Sequence, residues 1–184
     1  MQRFIALLGG INVGGHRVKM DRLRELFEAL GFTNIATFIA SGNVIFESAI
    51  DDPHHLQTLI EPRLKQSLGY TVPTFIRSSQ ELTAVARYQP FPRSEPDTNP
   101  HTLSVLFMRQ MLLDDAQHQL LTFNTPIDQF HVHNREIYWL CHKKTTESMV
   151  DWPRLGKTVA LPPLTVRNAN TIRKLVAMYL NETL

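Results

Sequence analysis

The chain has 184 residues, 43% hydrophobic and 20% charged, with a formal charge of +2. That composition excludes a disordered or fibrous chain, and so mild a charge does not announce a nucleic-acid binder by itself. A lone cysteine, Cys141, excludes an internal disulfide and suits a reducing compartment, while no apolar run reaches the roughly 20 residues of a membrane span.

Phe4 to Leu8, followed by Gly9, is too short for a signal peptide, so the reading is a soluble cytoplasmic protein with no membrane partner. Arg3 to Asn12 is apolar on both faces and predicts a central strand. Leu23, Leu26, Phe27 and Leu30 fall at i, i+3, i+4 and i+7 and predict a helix, with Gly31 as its left-handed stop. Asn34 to Ile39 and Val44 to Glu47 are β-branched or aromatic runs. They read as a hairpin joined by Ala40-Ser41-Gly42-Asn43. Leu56, Leu59, Ile60, Leu64 and Leu68 predict a second helix ending at Gly69. Pro62 lies inside it and predicts a kink or break near Glu61. Thr71 to Arg77 reads as a strand and Ser79 to Arg87 as a short helix.

Residues 90–100 hold four of the chain's eleven prolines. Proline fixes φ and cannot donate to a ladder, so this stretch is expected to connect two halves. Beyond it the pattern repeats. Thr102 to Arg109 reads as a strand and Asp114 to Phe123 as a helix. Phe130 to His133 and Ile137 to Cys141 form a hairpin. Ser148 to Leu155 reads as a short helix and Leu164 to Arg167 as a strand. Ile172, Leu175, Val176 and Tyr179 mark a closing helix. The repeated strand-helix-strand-strand-helix order is the ferredoxin-like, split βαβ pattern. The expectation is an α+β protein of two such halves, residues 1–89 and 101–184, with mostly antiparallel sheets and helices on one face. Right-handed crossovers then bring the loop after the first strand and the turn after the second strand to one end of the sheet.

Those two segments carry the richest chemistry. Gly9 to Lys19 has four glycines in its first seven residues and leads into a helix, whose N-terminus favours anions. The spacing is not that of a dinucleotide fingerprint. His16 and Arg17 stand where a phosphate-binding P-loop needs Lys and Ser/Thr, so a nucleotide P-loop is rejected. An anion site built from Asn12, Gly14, Gly15 and Lys19 remains, beside the plainer reading of a turn shaped by packing. Ser41, Gly42 and Asn43 could add a hydroxyl and an amide, or form an ordinary hairpin turn. At the last helix, Asn168 or Asn170 can cap the N-terminus, and Arg167 could hold a carboxylate or phosphate. Lys143, Lys144, Arg154, Lys157, Arg167, Arg173 and Lys174 outnumber Glu147 and Asp151, which suits a polyanion or a solvated face.

His131 and His133 lie on a strand facing Glu136 and Tyr138 if Asn134-Arg135 is a two-residue turn. Two histidines and a carboxylate match an iron-binding pattern, but the wet face of a hairpin accounts for the same residues. No metal site or cofactor is assigned. Cys141 alternates inward with Trp139 and reads as a buried thiol.

Three segments together carry a resemblance: Ala6-Leu7-Leu8-Gly9-Gly10-Ile11-Asn12-Val13-Gly14-Gly15, Thr37-Phe38-Ile39-Ala40-Ser41-Gly42-Asn43-Val44-Ile45-Phe46 and Thr165-Val166-Arg167-Asn168-Ala169-Asn170-Thr171. In this order they resemble the bacterial domain of unknown function 1697 family. The resemblance implies two α+β halves. It points to Asn12, Gly14, Gly15, Ser41, Gly42, Asn43, Arg167, Asn168 and Asn170, and it carries no established activity. This chain has Gly9 where the family's first motif usually has Arg, and Ala169 where the last usually has Trp.

Three functional readings follow. In the first, the glycine loop and the Ser41-Gly42-Asn43 turn hold a phosphate-bearing small molecule or a nucleic-acid backbone, with Arg167 contributing. In the second, the same cleft is an enzyme site for a small anion, with His16 as the proton-transfer group. In the third, the chain is a protein-interaction module using a sheet edge.

Overall fold

The computed structural model describes residues 1–12, 15, 17–39, 42–92 and 102–180. Its first sheet takes β1 (Gln2–Leu8), β2 (Thr33–Phe38), β3 (Asn43–Ser48) and β4 (Thr74–Ser78) in the antiparallel order β2-β3-β1-β4. This is the split βαβ arrangement, with α1 (Met20–Glu28) and α2 (Pro53–Leu68) as its crossovers. Leu23, Leu26 and Phe27 of α1 and Leu56, Ile60 and Leu64 of α2 pack with Phe4, Ala6 and Leu8 of β1. Phe46 meets Phe27 and Phe32 at ring distances of 5.3 and 4.6 Å. Ile5 and Leu7, on the opposite face of β1, are buried too, which is why the strand reads as apolar on both sides. α3 (Ser79–Arg87) follows β4 directly.

The second sheet takes β5 (Thr102–Met108), β6 (Asp128–His133), β7 (Glu136–Cys141) and β8 (Leu164–Asn168) in the matching order β6-β7-β5-β8, again antiparallel. α4 (Asp114–Leu121) and α5 (Trp152–Thr158) bring Ala116, Leu120 and Leu155 onto Leu106, Ile137 and Trp139. α6 (Ala169–Tyr179) follows β8 as α3 follows β4. The chain divides into two compact units, Met1–Arg87 with Arg173–Leu184, and Tyr88–Ile172. Most of the proline-rich connection, residues 93–100, lies outside the described residues, as does residue 101.

Several local expectations need correction. β1 ends at Leu8 rather than Asn12, because Gly10 and Asn12 take left-handed backbone, φ 71° and 58°. Ile11 mimics a strand residue in the sequence because it is buried, not because it pairs. Ile39, φ 50°, likewise falls outside β2. The break near Glu61 does not occur, and α2 runs through Pro62. Proline there removes only the bond to the Thr58 carbonyl. Thr58 and Pro62 are both exposed, so the lost bond falls on the outer side of the helix while the buried stripe stays intact. β4 starts at Thr74, three residues later than expected. α5 starts at Trp152 rather than Ser148, with Asp151 capping it through the Arg154 amide at 2.9 Å.

The hairpin pairing His133↔Glu136 and His131↔Tyr138 forms as expected, with Asn134 at φ 53°. The face carrying these residues is only partly wet: His133 is exposed and His131 half-buried. Glu136 and Tyr138 are buried, and Tyr88 lies across the histidines. Its ring stacks on His133 at 4.1 Å, and its hydroxyl hydrogen-bonds His131 Nε2 at 2.8 Å.

Candidate functional site

The loop after β1 is rooted on both sides. The Leu8 amide donates to the Gly42 carbonyl at 2.8 Å, and the Gly9 amide donates to the Pro73 carbonyl at 2.7 Å. The first bond is the meeting of loop and hairpin turn that the topology requires. Gly42 is the contact point. Its φ is 72°, and a Cβ there would stand 3.1 Å from the Cβ atoms of Leu8 and Ile11. Both conformation and space therefore call for glycine. Asn43 is fully buried, and its amide donates to the Phe38 carbonyl at 3.0 Å, closing the hairpin.

Asn12 fastens the loop across six residues. Its side-chain oxygen accepts from the Val18 amide at 2.7 Å. The chain then enters α1 at Lys19, whose side chain makes no capping bond. A lysine cannot accept a hydrogen bond, so the first-turn amides of α1 lack a side-chain acceptor at the cap position. Asp21 in that turn pairs with Arg24, which also donates to the Thr37 hydroxyl at 3.0 Å. Arg22 pairs with Glu25. Arg17 and Lys19 are exposed and enter none of the ion pairs among the described residues. The loop thus presents left-handed backbone at Gly10, Asn12 and Gly15, an uncapped helix start and two cations. Gly14, His16 and Ser41 lie outside the described residues.

The second group sits in the other unit. Arg167 is buried on β8. It donates to the Thr165 hydroxyl and the Val166 carbonyl, each at 2.9 Å. Burial draws its guanidinium down to about 10, so it stays charged at neutral pH. Asn168 accepts from the Asn170 amide at 2.8 Å and caps α6. Arg77 holds the same place in the first half and was missed in the sequence. It pairs with the middle of β1, as Arg167 pairs with the middle of β5, and donates to the carbonyl of Ile76 at 2.9 Å. The signal was available: Pro73-Thr74-Phe75-Ile76-Arg77 echoes Pro163-Leu164-Thr165-Val166-Arg167. A buried edge-strand arginine is therefore a feature of each half.

Asp128 was also missed. It is buried at the start of β6 and accepts four hydrogen bonds, from the Thr125 and Ser148 hydroxyls, the Trp139 indole and the Met149 amide, each at 2.9 Å. Burial pushes its carboxyl up, but these bonds outweigh burial and hold it below the usual range. His131 is drawn down by burial and by its neighbour His133. Burial pushes the Cys141 thiol up, which keeps it protonated and unreactive. Among the described residues no group of three or more His, Cys, Asp or Glu could hold a metal ion. No helix among them is long and apolar enough to cross a membrane.

Residues 1–138 match the family described as protein of unknown function (DUF1697), and the chain belongs to that family. It is similar in structure to the conserved bacterial protein SP0830 from Streptococcus pneumoniae, with a TM-score of 0.77, 24% identity and 99% of each chain covered. That likeness is one of fold. No curated protein matches the chain.

Proposed function

We propose that the chain binds a phosphate-bearing ligand at the loop between β1 and α1, with the β2–β3 turn as its wall. The start of α1, which has no side-chain cap, carries the reading, with Asn12 bonded to the Val18 amide and Gly42 packed on Leu8 and Ile11. Amides at a helix start favour an anion, and Lys19 and Arg17 add exposed positive charge beside them. Gly14, Gly15 and Ser41 are kept as candidate donors on the sequence reading. Asn12 and Asn43 already use side-chain atoms on the protein itself, so their part is to hold the loop and turn in place. Arg167, Asn168 and Asn170 form bonds within β8 and the start of α6, and the loop site does not call on them.

Thermal stabilisation tests the reading, with inorganic phosphate, pyrophosphate and a single-stranded oligonucleotide as probes. The expected result is a rise in Tm with phosphate or pyrophosphate that Lys19→Ala with Arg17→Ala reduces. Oligonucleotide binding that falls steeply with salt would place the phosphate on a nucleic-acid backbone. No shift with any probe, or an equal shift in the double variant, would remove the site.

A further inference from the structure

β4 and β8 are outermost strands of their sheets. In an antiparallel ladder each residue points its amide and carbonyl to one side, and the side alternates along the strand. The Gly9 amide bonds the Pro73 carbonyl, which fixes the alternation for β4. The Met108 amide bonds the Arg135 carbonyl, which fixes it for β5 and so for β8. Thr74, Ile76 and Ser78 of β4 therefore point outward, and so do Leu164, Val166 and Asn168 of β8. On β4 this edge is closed, and all three residues are buried. The Thr74 amide donates to the Glu61 carboxylate of α2 at 2.7 Å and the Ser78 amide to the Glu81 carboxylate of α3 at 2.8 Å. The Ile76 carbonyl accepts from Arg77 at 2.9 Å. Among the described residues β8 repeats only the last of these bonds, from Arg167 to the Val166 carbonyl at 2.9 Å. α5 ends after 7 residues, whereas Glu61 is the ninth of α2, and Thr171 stands where Glu81 does, four residues past the arginine. Leu164 is half-buried, Asn168 is exposed, and Val166 is 46% exposed. The Leu164 and Val166 amides have no hydrogen-bond partner among the described residues.

The other outer strands are managed differently. On β6 the outward Asp128 and Phe130 amides go to the Thr125 hydroxyl and the Asn124 side-chain oxygen, at 2.9 and 2.8 Å. β2 shifts register between Thr33 and Ale36-side pairing is interrupted there. Aligned outward amides without partners are what an extended backbone pairs with. β8 has 5 residues, about 17 Å of strand, and so short an edge falls well below the ~1,200 Å² that a stable contact between folded chains buries. It suits a short extended peptide rather than a second copy of this chain. Val166 pairs with Leu106, which packs with Leu120 and Leu155, so a peptide residue opposite Val166 lies on that same face. A β-branched apolar side chain fits there.

We infer that the outer edge of β8 takes up an extended segment of a partner protein as an added strand of the second sheet. It is independent of the phosphate site. The test titrates the isotope-labelled full chain with the end-blocked peptide Lys-Thr-Val-Thr-Val-Thr-Lys and follows amide resonances by NMR. The amides of Leu164 and Val166 should shift and gain protection from solvent exchange. Methylating the two Val nitrogens of the peptide removes the donors that face β8 and should weaken binding about tenfold. Methylating the Thr nitrogens alters only the peptide's far edge and should leave binding nearly unchanged. Val166→Pro removes an outward donor and no bond to β5, so it should weaken binding in the same direction, while Val166→Thr should keep it. No shift at Leu164 and Val166, or equal binding of the two methylated peptides, would overturn the proposal. So would a dimer of this chain that Val166→Pro dissociates, because the edge would then belong to a second copy.

Discussion

Asp128 shows how much one buried side chain can organise. Its four donors come from residues 125, 139, 148 and 149, so the carboxylate ties the start of β6 to β7 and to the chain leading into α5. Asp128→Asn offers one carbonyl oxygen to partners that expect two acceptors and should cost about 3 kcal/mol, read as a lower Tm. Its folded pKa lies below the unfolded value of 3.8. The stabilisation is therefore present above 3.8 and lost as pH falls through the folded value, and an acid unfolding curve of Asp128→Asn should lack that limb. His131 titrates in a different window. Its folded pKa lies below 6.5, so the unfolded chain binds more protons and stability falls as pH drops through 6.5, levelling off below the folded value. His131→Gln should flatten the slope of Tm between about pH 7 and pH 5. An unchanged slope would place the titration elsewhere. Asp128 did not announce itself in the sequence, and for His131 the strand was legible but not its cover. Asp128 is an isolated acid whose partners are scattered along the chain. The half-burial of His131 was not legible because Tyr88, which bonds it, comes from the segment after α3, more than forty residues earlier.

At the scale of elements, legibility followed burial. The middle of β1 and the Leu23, Leu26 and Phe27 face of α1 were readable because alternation and helical spacing report directly on what is buried. Ends were less so. Ile11 is apolar and buried, yet it sits in a turn and packs beneath Gly42. The convergence of the β1 loop and the β2–β3 turn was legible from topology alone, since it depends on strand direction rather than on particular side chains. Gly42→Ala tests that contact. A φ of 72° and two side-chain carbons 3.1 Å away should together cost about 2 kcal/mol, measured by chemical denaturation. α2 offers a change of opposite sign. Pro62 is exposed inside a continuous helix, so Pro62→Ala should restore a hydrogen bond to the Thr58 carbonyl and stabilise the chain by about 1–3 kcal/mol.

For the whole molecule, the composition of the first unit matters most. Arg173–Leu184 groups with Met1–Arg87, and Tyr179 shows how: Arg3 donates to its carbonyl at 2.8 Å, and its ring meets Phe38 at 5.9 Å. Leu175 and Val176 are fully buried, each worth about 1.5–3 kcal/mol of apolar burial. A chain truncated after Ile172 should therefore lose several kcal/mol, and hydrogen exchange should quicken in Gln2–Leu8. Exchange in β1 at the full-length rate would show that the last helix turns contribute little to that unit. The sequence displayed two similar halves, and the matching strand orders bear out the repetition. It could not display an end-of-chain segment grouping with the first half, because no periodicity reports on which body a helix joins.

The paired arginines Arg77 and Arg167 mark what the two halves share and so what is left to differ. Where one plan is used twice in a single chain, what both copies need recurs, and the edge-strand arginine stands in each. Whatever only one copy must do is released in its twin. Gly9-Gly10-Ile11-Asn12 stands after β1, while Arg109-Gln110-Met111-Leu112 stands after β5. A long helix roofs one sheet, and a short one leaves the other partly open. Repetition of this kind permits a division of labour, because the ends of each copy can vary without disturbing the frame they share.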